Sequence, residues 1–198
     1  GALSTEDTAS RSTAVGYRTL LTQNAGDVNT FNVAIGYEAG FGMTTGVENT
    51  LMGGAAGDAL TDADYNVAIG RGALSDDTLG SQSVAMGYLA LNVQNFTTAT
   101  NTYNTAIGSK AGLNVTTAVN STFVGGLAGD AITTGGSNTA LGTSALSANT
   151  TASNNTAVGH QAATSNTTGN VSAFGKAAAY SQTTGTNTTA IGSFSLYS

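Results

Sequence analysis

One short phrase runs through this chain from end to end: Ala, then Ile, Val or Leu, then Gly, with a small residue three places later. "NVAIGYEAG" at Asn32 and "NTAIGSKAG" at Asn104 are two of its copies. Aligned on the glycine, it recurs at Gly16, Gly36, Gly53, Gly70, Gly87, Gly108, Gly125, Gly142, Gly159, Gly175 and Gly192. The intervals are 20, 17, 17, 17, 21, 17, 17, 17, 16 and 17 residues. A two-helix repeat needs roughly 33 residues or more. Seventeen suits one coil of a β-solenoid. The expectation is therefore an all-β chain, a parallel β-roll or β-solenoid of about eleven 17-residue coils, forming a single repeat domain over residues 1–198.

The columns of the repeat say how a coil is built. Ala stands two places before the glycine in nine of eleven copies, with Leu51 and Phe123 as the exceptions. One place before it stands a larger apolar residue, as at Ile35, Ile69, Ile107, Leu141, Val158 and Ile191. Thr, Val or Ser sits three places before, and Asn four places before at 32, 49, 66, 104, 138 and 155. Thr/Val-Ala-Ile carries β-branched residues at alternate positions and reads as a short strand. Side chains alternate faces along it. Asn, Ala and Gly then share one face, which fits a thin coil interior. Thr or Val and the larger residue share the other.

Neither face carries a charge in any copy, so both are expected to be covered. A thin coil cannot cover its own outer face. The economical cover is another copy of the chain, with Ile35, Ile69, Ile107, Leu141, Val158 and Ile191 forming a shared structural core. Gly36, Gly70, Gly108, Gly142, Gly159 and Gly192 are the expected corners, where the backbone takes a shape closed to other residues. Asn residues in register would form an amide ladder between coils.

Composition narrows the function classes. Only 8% of residues are charged, against roughly 25% in ordinary domains. There is no Cys, hence no disulfide framework, thiolate metal site or thiol nucleophile. No apolar run approaches the roughly 18 residues of a membrane span. The net charge is −6, and ten of the eleven acidic residues lie between Glu6 and Asp77. Five scattered cations do not make the basic stripe that nucleic acid requires.

The motif N-[TSV]-[VA]-A-[IV]-G-x-x-[AS] resembles the head repeat of trimeric autotransporter adhesins, the YadA-like left-handed parallel β-roll. It is similar also to the 17-residue "NTAIGYxALxxNTTGS" arrays of phage tail fibres and large bacterial surface proteins. The resemblance covers Ser12 to Leu196. It implies a homotrimer with the rolls side by side around a three-fold axis. Adhesin heads commonly have a shorter period, so the period here favours the fibre-type arrays. No polar cap is legible at either end, so the chain is expected to be a segment of a longer fibre with adjoining segments as neighbours.

Candidate chemistry is sparse. The single His, His160, falls in the variable column just after the glycine, alongside Tyr17, Tyr37, Arg71, Tyr88, Ser109 and Lys176. No nucleophile or carboxylate partner is legible beside it. "DALTDAD" (Asp58 to Asp64) offers carboxylates without the glycine-anchored spacing of a calcium loop. No catalytic residue, metal site or cofactor is expected.

Recognition is expected where the repeat is interrupted. Three extra residues precede Gly36, around "NAGDVNTF", and four precede Gly108, around "NVQNFTTATNTY". Insertions in solenoids form loops, often on a binding face. Phe31, Asn95, Phe96 and Tyr103 lie in or beside them and are the candidate contacts to a cell-surface glycan. The competing reading is that these rings fold back to cover an edge of the roll.

The functional expectation is a structural, adhesive fibre segment, a tail-fibre or surface-adhesin shaft or head at a cell or virion surface outside the cell. It is not an enzyme, it is not inserted in a membrane, and its main partner is itself. The alternatives are an ice- or surface-binding solenoid, suggested by the Thr-Thr pairs, and the scaffold of a polysaccharide depolymerase.

Overall fold

The computed structural model describes residues 1–3, 11–184 and 186–197. It contains thirteen short strands: β1 (Thr13–Val15), β2 (Val33–Ile35), β3 (Thr50–Met52), β4 (Val67–Ile69), β5 (Gly80–Ser81), β6 (Val84–Met86), β7 (Thr100–Asn101), β8 (Thr105–Ile107), β9 (Thr122–Val124), β10 (Thr139–Leu141), β11 (Thr156–Val158), β12 (Val171–Phe174) and β13 (Thr188–Ile191). Eleven of them stack into one parallel sheet in chain order, and β5 pairs with β7 beside it. The register joins like columns: Val33 to Thr50, Ala34 to Leu51, Ile35 to Met52. The chain is a parallel β-solenoid of stacked coils, as the 17-residue period predicts.

Each strand of the main sheet ends just before a repeat glycine. Gly108 has φ +138°, and a Cβ there would stand 2.5 Å from the carbonyl oxygen of Gly125. No other residue fits that corner. The next corners use left-handed backbone at non-glycine residues, such as Glu38 (φ 55°), Leu74 (φ 54°) and Tyr65 (φ 59°). Such a conformation costs about 1–3 kcal/mol. It is sustained because each of these corners donates its N–H to an adjacent coil: Glu38 to Tyr17 O at 2.9 Å, Leu74 to Ala90 O at 3.0 Å, Tyr65 to Val47 O at 3.1 Å.

The Ala column lies inside. Ala34, Ala68, Ala85, Ala106, Ala140 and Ala157 are wholly buried. The two exceptions are accommodated by glycines in the column four places after the repeat glycine, where most other coils carry Leu or Ala. Gly40 and Gly57 flank Leu51, and a Cβ on either would come within 2.8–2.9 Å of a Leu51 methyl. Gly112 and Gly129 flank Phe123 in the same way; a Cβ on Gly129 would sit 2.5 Å from its ring. Leu74, Leu91 and Leu146 fill that column elsewhere.

The buried Asn column stitches the coils, although mainly to backbone. Asn32 Oδ1 accepts the Asn49 N–H at 2.8 Å, and Asn32 Nδ2 donates to Gly46 O at 2.7 Å. Asn49 does the same with the Asn66 N–H (2.9 Å) and Ala63 O (2.7 Å). Amide-to-amide contacts also occur, as between Asn155 Nδ2 and Asn138 Oδ1 at 3.0 Å. The ladder expected from sequence thus exists, with most of its rungs joining side chain to main chain. One amide satisfies a donor in the next coil and an acceptor across its own, which a buried backbone requires.

The pairing of Phe123 with Gly129 is testable. Leu at 129 alone is expected to destabilise the chain by about 1–3 kcal/mol through overpacking. Phe123→Ala alone is expected to cost about 3–5 kcal/mol. The double variant recreates the Ala–Leu pairing of the ordinary coils and should be more stable than the sum of the two losses predicts. Denaturant unfolding that shows strict additivity would refute the pairing.

Candidate functional site

The side of the sheet turned away from the coil interior carries the larger column. Ile35, Ile69 and Val158 are half-buried there, while Ile107, Leu141 and Ile191 are 40%, 44% and 73% exposed. They are flanked by Thr and Val of the same strands. These six residues do not form the interior of their own coil; the Ala column does. They make an uncharged face that follows the stacked strands, about 50 Å long at roughly 4.8 Å per coil. Apolar side chains exposed in an unbroken column differ from the singly scattered ones of an ordinary protein surface.

Two rows border this face. Just after the repeat glycines come Tyr17, Tyr37, Gly54, Arg71 and Tyr88. Tyr17 and Tyr37 stack with centroids 5.7 Å apart, and the Arg71 guanidinium lies 5.9 Å from the Tyr88 ring centre. Between them is a notch of about 430 Å³. Its floor lies where Gly54 and Gly72 replace larger residues, and Tyr37, Arg71, Leu89 and Asn92 wall it. Asn92 is fixed by bonds from its Nδ2 to Ser75 Oγ (2.6 Å) and Gly72 O (3.0 Å).

The second row is the column just before the buried Asn or Ser: Phe31, Glu48, Tyr65, Gln82, Tyr103. All take left-handed backbone, Phe31 at φ 52° and Tyr103 at φ 51°. Glu48 is exposed like the rings of this row, whereas Gln82 is half-buried with its Oε1 enclosed. Phe31, Tyr65 and Tyr103 are 48%, 50% and 57% exposed.

The structure therefore places the four glycan candidates in three different settings. Phe31 and Tyr103 are exposed, as a contact requires, but they belong to a regular column and not to the insertions. Tyr65 occupies the same column in an uninterrupted coil. A search confined to broken repeats misses it, although alignment on the Asn column exposes it. Asn95 is exposed, and its Oδ1 accepts from the Thr78 hydroxyl at 3.2 Å. Phe96 is buried. Its N–H donates at 2.9 Å to Asp77 Oδ1, whose carboxylate also takes Gln94 Nε2 (2.6 Å) and the Gly80 N–H (3.0 Å). The Phe96 ring is thus folded inward and offers no surface for a sugar, which is the competing reading of the insertion.

His160 stands exposed in its column. The carboxylates of Asp58 to Asp64 diverge. Asp62 accepts from Thr45 Oγ1 at 2.5 Å, and Asp64 from the Val47 N–H at 2.8 Å. Among the described residues no three His, Cys, Asp or Glu side chains converge on one point. No helix is long and apolar enough to cross a membrane among the described residues. No known protein family, curated protein or solved structure matches the chain.

Asp58 is the carboxylate most altered by its surroundings. Burial pushes its pKa up from 3.8 to about 6, opposed by a hydrogen bond to its own backbone and aided by the nearby charges of Asp76 and Glu38. Its Oδ1 is enclosed without a partner. Asp130, in the matching Gly-Asp-Ala position, is raised too, again by burial first. A carboxyl raised by folding favours the folded state fully below its unfolded pKa of 3.8, and this advantage is lost as pH rises through about 6. Asp58→Asn is therefore expected to raise stability at pH 7 by about 1–3 kcal/mol and to change little near pH 4. Melting curves of both proteins across this range test it; a parallel offset at every pH would overturn the assignment.

Proposed function

We propose that the chain is a structural segment of a surface fibre that associates with copies of itself and mediates attachment to a cell surface. The observation that carries this reading is the uncharged outward face of the main sheet. Its apolar column continues through every coil, from Val15 to Ile191, with no ionisable residue interrupting it. Burial of such surface contributes about 25 cal/mol per Å² removed from water. A second copy of the same repeat supplies a face of matching length and spacing. The resemblance to YadA-like β-rolls and to tail-fibre arrays favours three copies around one axis, placed outside the cell or on a virion, with adjoining fibre segments above and below.

The absence of charge along the face supports self-association over binding of a charged partner. The repeat itself supports a scaffold over a catalyst, because its columns account for most of the conspicuous residues. An ice-binding reading is less well supported. The first threonine of several Thr-Thr pairs donates its hydroxyl to the next coil: Thr116 to Thr133 O at 3.1 Å, Thr133 to Thr150 O at 3.0 Å, Thr167 to Thr183 O at 3.1 Å. This ties one threonine of each such pair into the stack of coils and narrows the template that an ice plane could meet.

Light scattering coupled to gel filtration should give three times the 19.5 kDa mass of one chain. Ile107→Lys places a charge in the middle of the face and should return the protein to the single-chain mass with an unchanged β circular-dichroism spectrum. A wild-type mass of one chain would end the self-association reading, and a mass of two would replace the trimer with a dimer.

A further inference from the structure

We propose that Phe31, Tyr65 and Tyr103 form a binding track for an extended, neutral β-1,4-linked polysaccharide. The inference rests on the attachment reading above and names the ligand. The three rings precede β2, β4 and β8, which are alternate strands of the main sheet. They therefore recur every second coil, about 9.6 Å apart given a rise of roughly 4.8 Å per coil. In an extended β-1,4 chain successive sugars are flipped, so every second ring presents the same face. Its repeat is two sugar units long, which matches the spacing of the row. Each aromatic can then stack on an equivalent sugar.

Three further observations separate this row from a merely apolar patch. The rings stand beyond the 4.5–7 Å range at which aromatic pairs satisfy each other. The opposite border behaves otherwise, with Tyr17 and Tyr37 stacked at 5.7 Å. Of the positions between the rings, Glu48 is exposed and can accept hydrogen bonds from the hydroxyls of an intervening sugar, whereas Gln82 is half-buried with its Oε1 enclosed. Lastly, the row stops at Tyr103. The same column continues as Asn120, Ser137 and Asn154, whereas the apolar sheet face runs the full length. A self-association surface would need the rings in every coil; a local ligand track does not.

The charge balance selects a neutral chain. Ten of the eleven acidic residues fall in the first 77 positions, alongside two of these rings. The nearest cation in the column, Arg11, lies 5.8 Å from the Phe31 ring centre and closes the row at its first ring. A polyanion would meet repulsion along most of the track.

Affinity electrophoresis of the intact chain tests the proposal, with hydroxyethyl cellulose and soluble glycol chitin as β-1,4 probes, dextran as an α-linked control and polygalacturonate as an anionic one. Retardation is expected with one or both β-1,4 probes and with neither control. Tyr65→Ala removes the central ring and should weaken binding about tenfold, which corresponds to 1.4 kcal/mol. Tyr65→Phe keeps the ring and should bind nearly as wild type; Ser137→Ala, in the same column beyond the row, should change nothing. Light scattering on Tyr65→Ala should give the wild-type mass. No retardation of the wild type by either β-1,4 probe, or equal retardation of Tyr65→Ala, overturns the track and leaves the fibre reading intact. A lower mass for Tyr65→Ala overturns it differently, by assigning the row to the contact between copies.

Discussion

Beneath the main sheet the opposite wall of each coil stands so close that a strand residue has room for little more than a methyl group. Ala34, Ala68, Ala106 and Ala157 fill that room completely. Most of the molecule follows from this depth. Since the strand's inward position must be small, its bulk goes outward, and every coil adds one more apolar side chain to an uncovered face. A wider coil could have buried those residues itself. Here the face is an outcome of the packing, and its need for a cover is the physical basis for expecting the chain to assemble with its own kind.

The two coils that break the rule show how strict it is. Leu51 and Phe123 are each flanked by two glycines, and the volume gained at one column is removed from another. Close-packed interiors behave this way, because a single added methylene is felt by its neighbours. Polar groups obey the same economy. The Asn amides are wholly buried, so the column bonds both the next coil and the far wall of its own. At the coil where the repeat lengthens, Asp77 and Gln94 take over that task, and Phe96 is drawn in behind them. The insertion thus rebuilds the core before it decorates the surface.

This explains what could be read from residues alone. Period, strand positions, inward Ala, outward Ile and corner Gly are all properties of a column, and eleven copies average out the exceptions. The compensation between Phe123 and its two glycines was present in the sequence, yet it becomes legible only when the columns two before and four after the repeat glycine are known to touch across the coil. The candidate contacts are only partly legible for a related reason. Phe31 and Tyr103 sit near interruptions, but what they share is the corner column just before the buried Asn, where the rings stand outside the coil. Tyr65 lies at that corner without any interruption to mark it. Phe96 also sits near an interruption and is buried, because its backbone is held by a carboxylate nineteen residues earlier.

The two halves of the rod then differ in kind. From Arg11 to Tyr103 the borders of the sheet carry six exposed rings, and the coils of this stretch hold most of the charge; beyond it the same border columns hold mainly Asn, Ser, Thr and Gly, with His160 and Lys176 as exceptions. The backbone corners and the buried columns are alike in both halves, so this difference is free of any folding requirement. If copies align in parallel through their common face, each brings its ring row to the same level of the fibre. Several weak stacking tracks held at a fixed separation bind a many-sited surface far more tightly than one does, because the later contacts form at high effective concentration. A uniform scaffold with one end specialised is what that arrangement requires, and it places the burden of affinity on assembly and leaves each single site shallow.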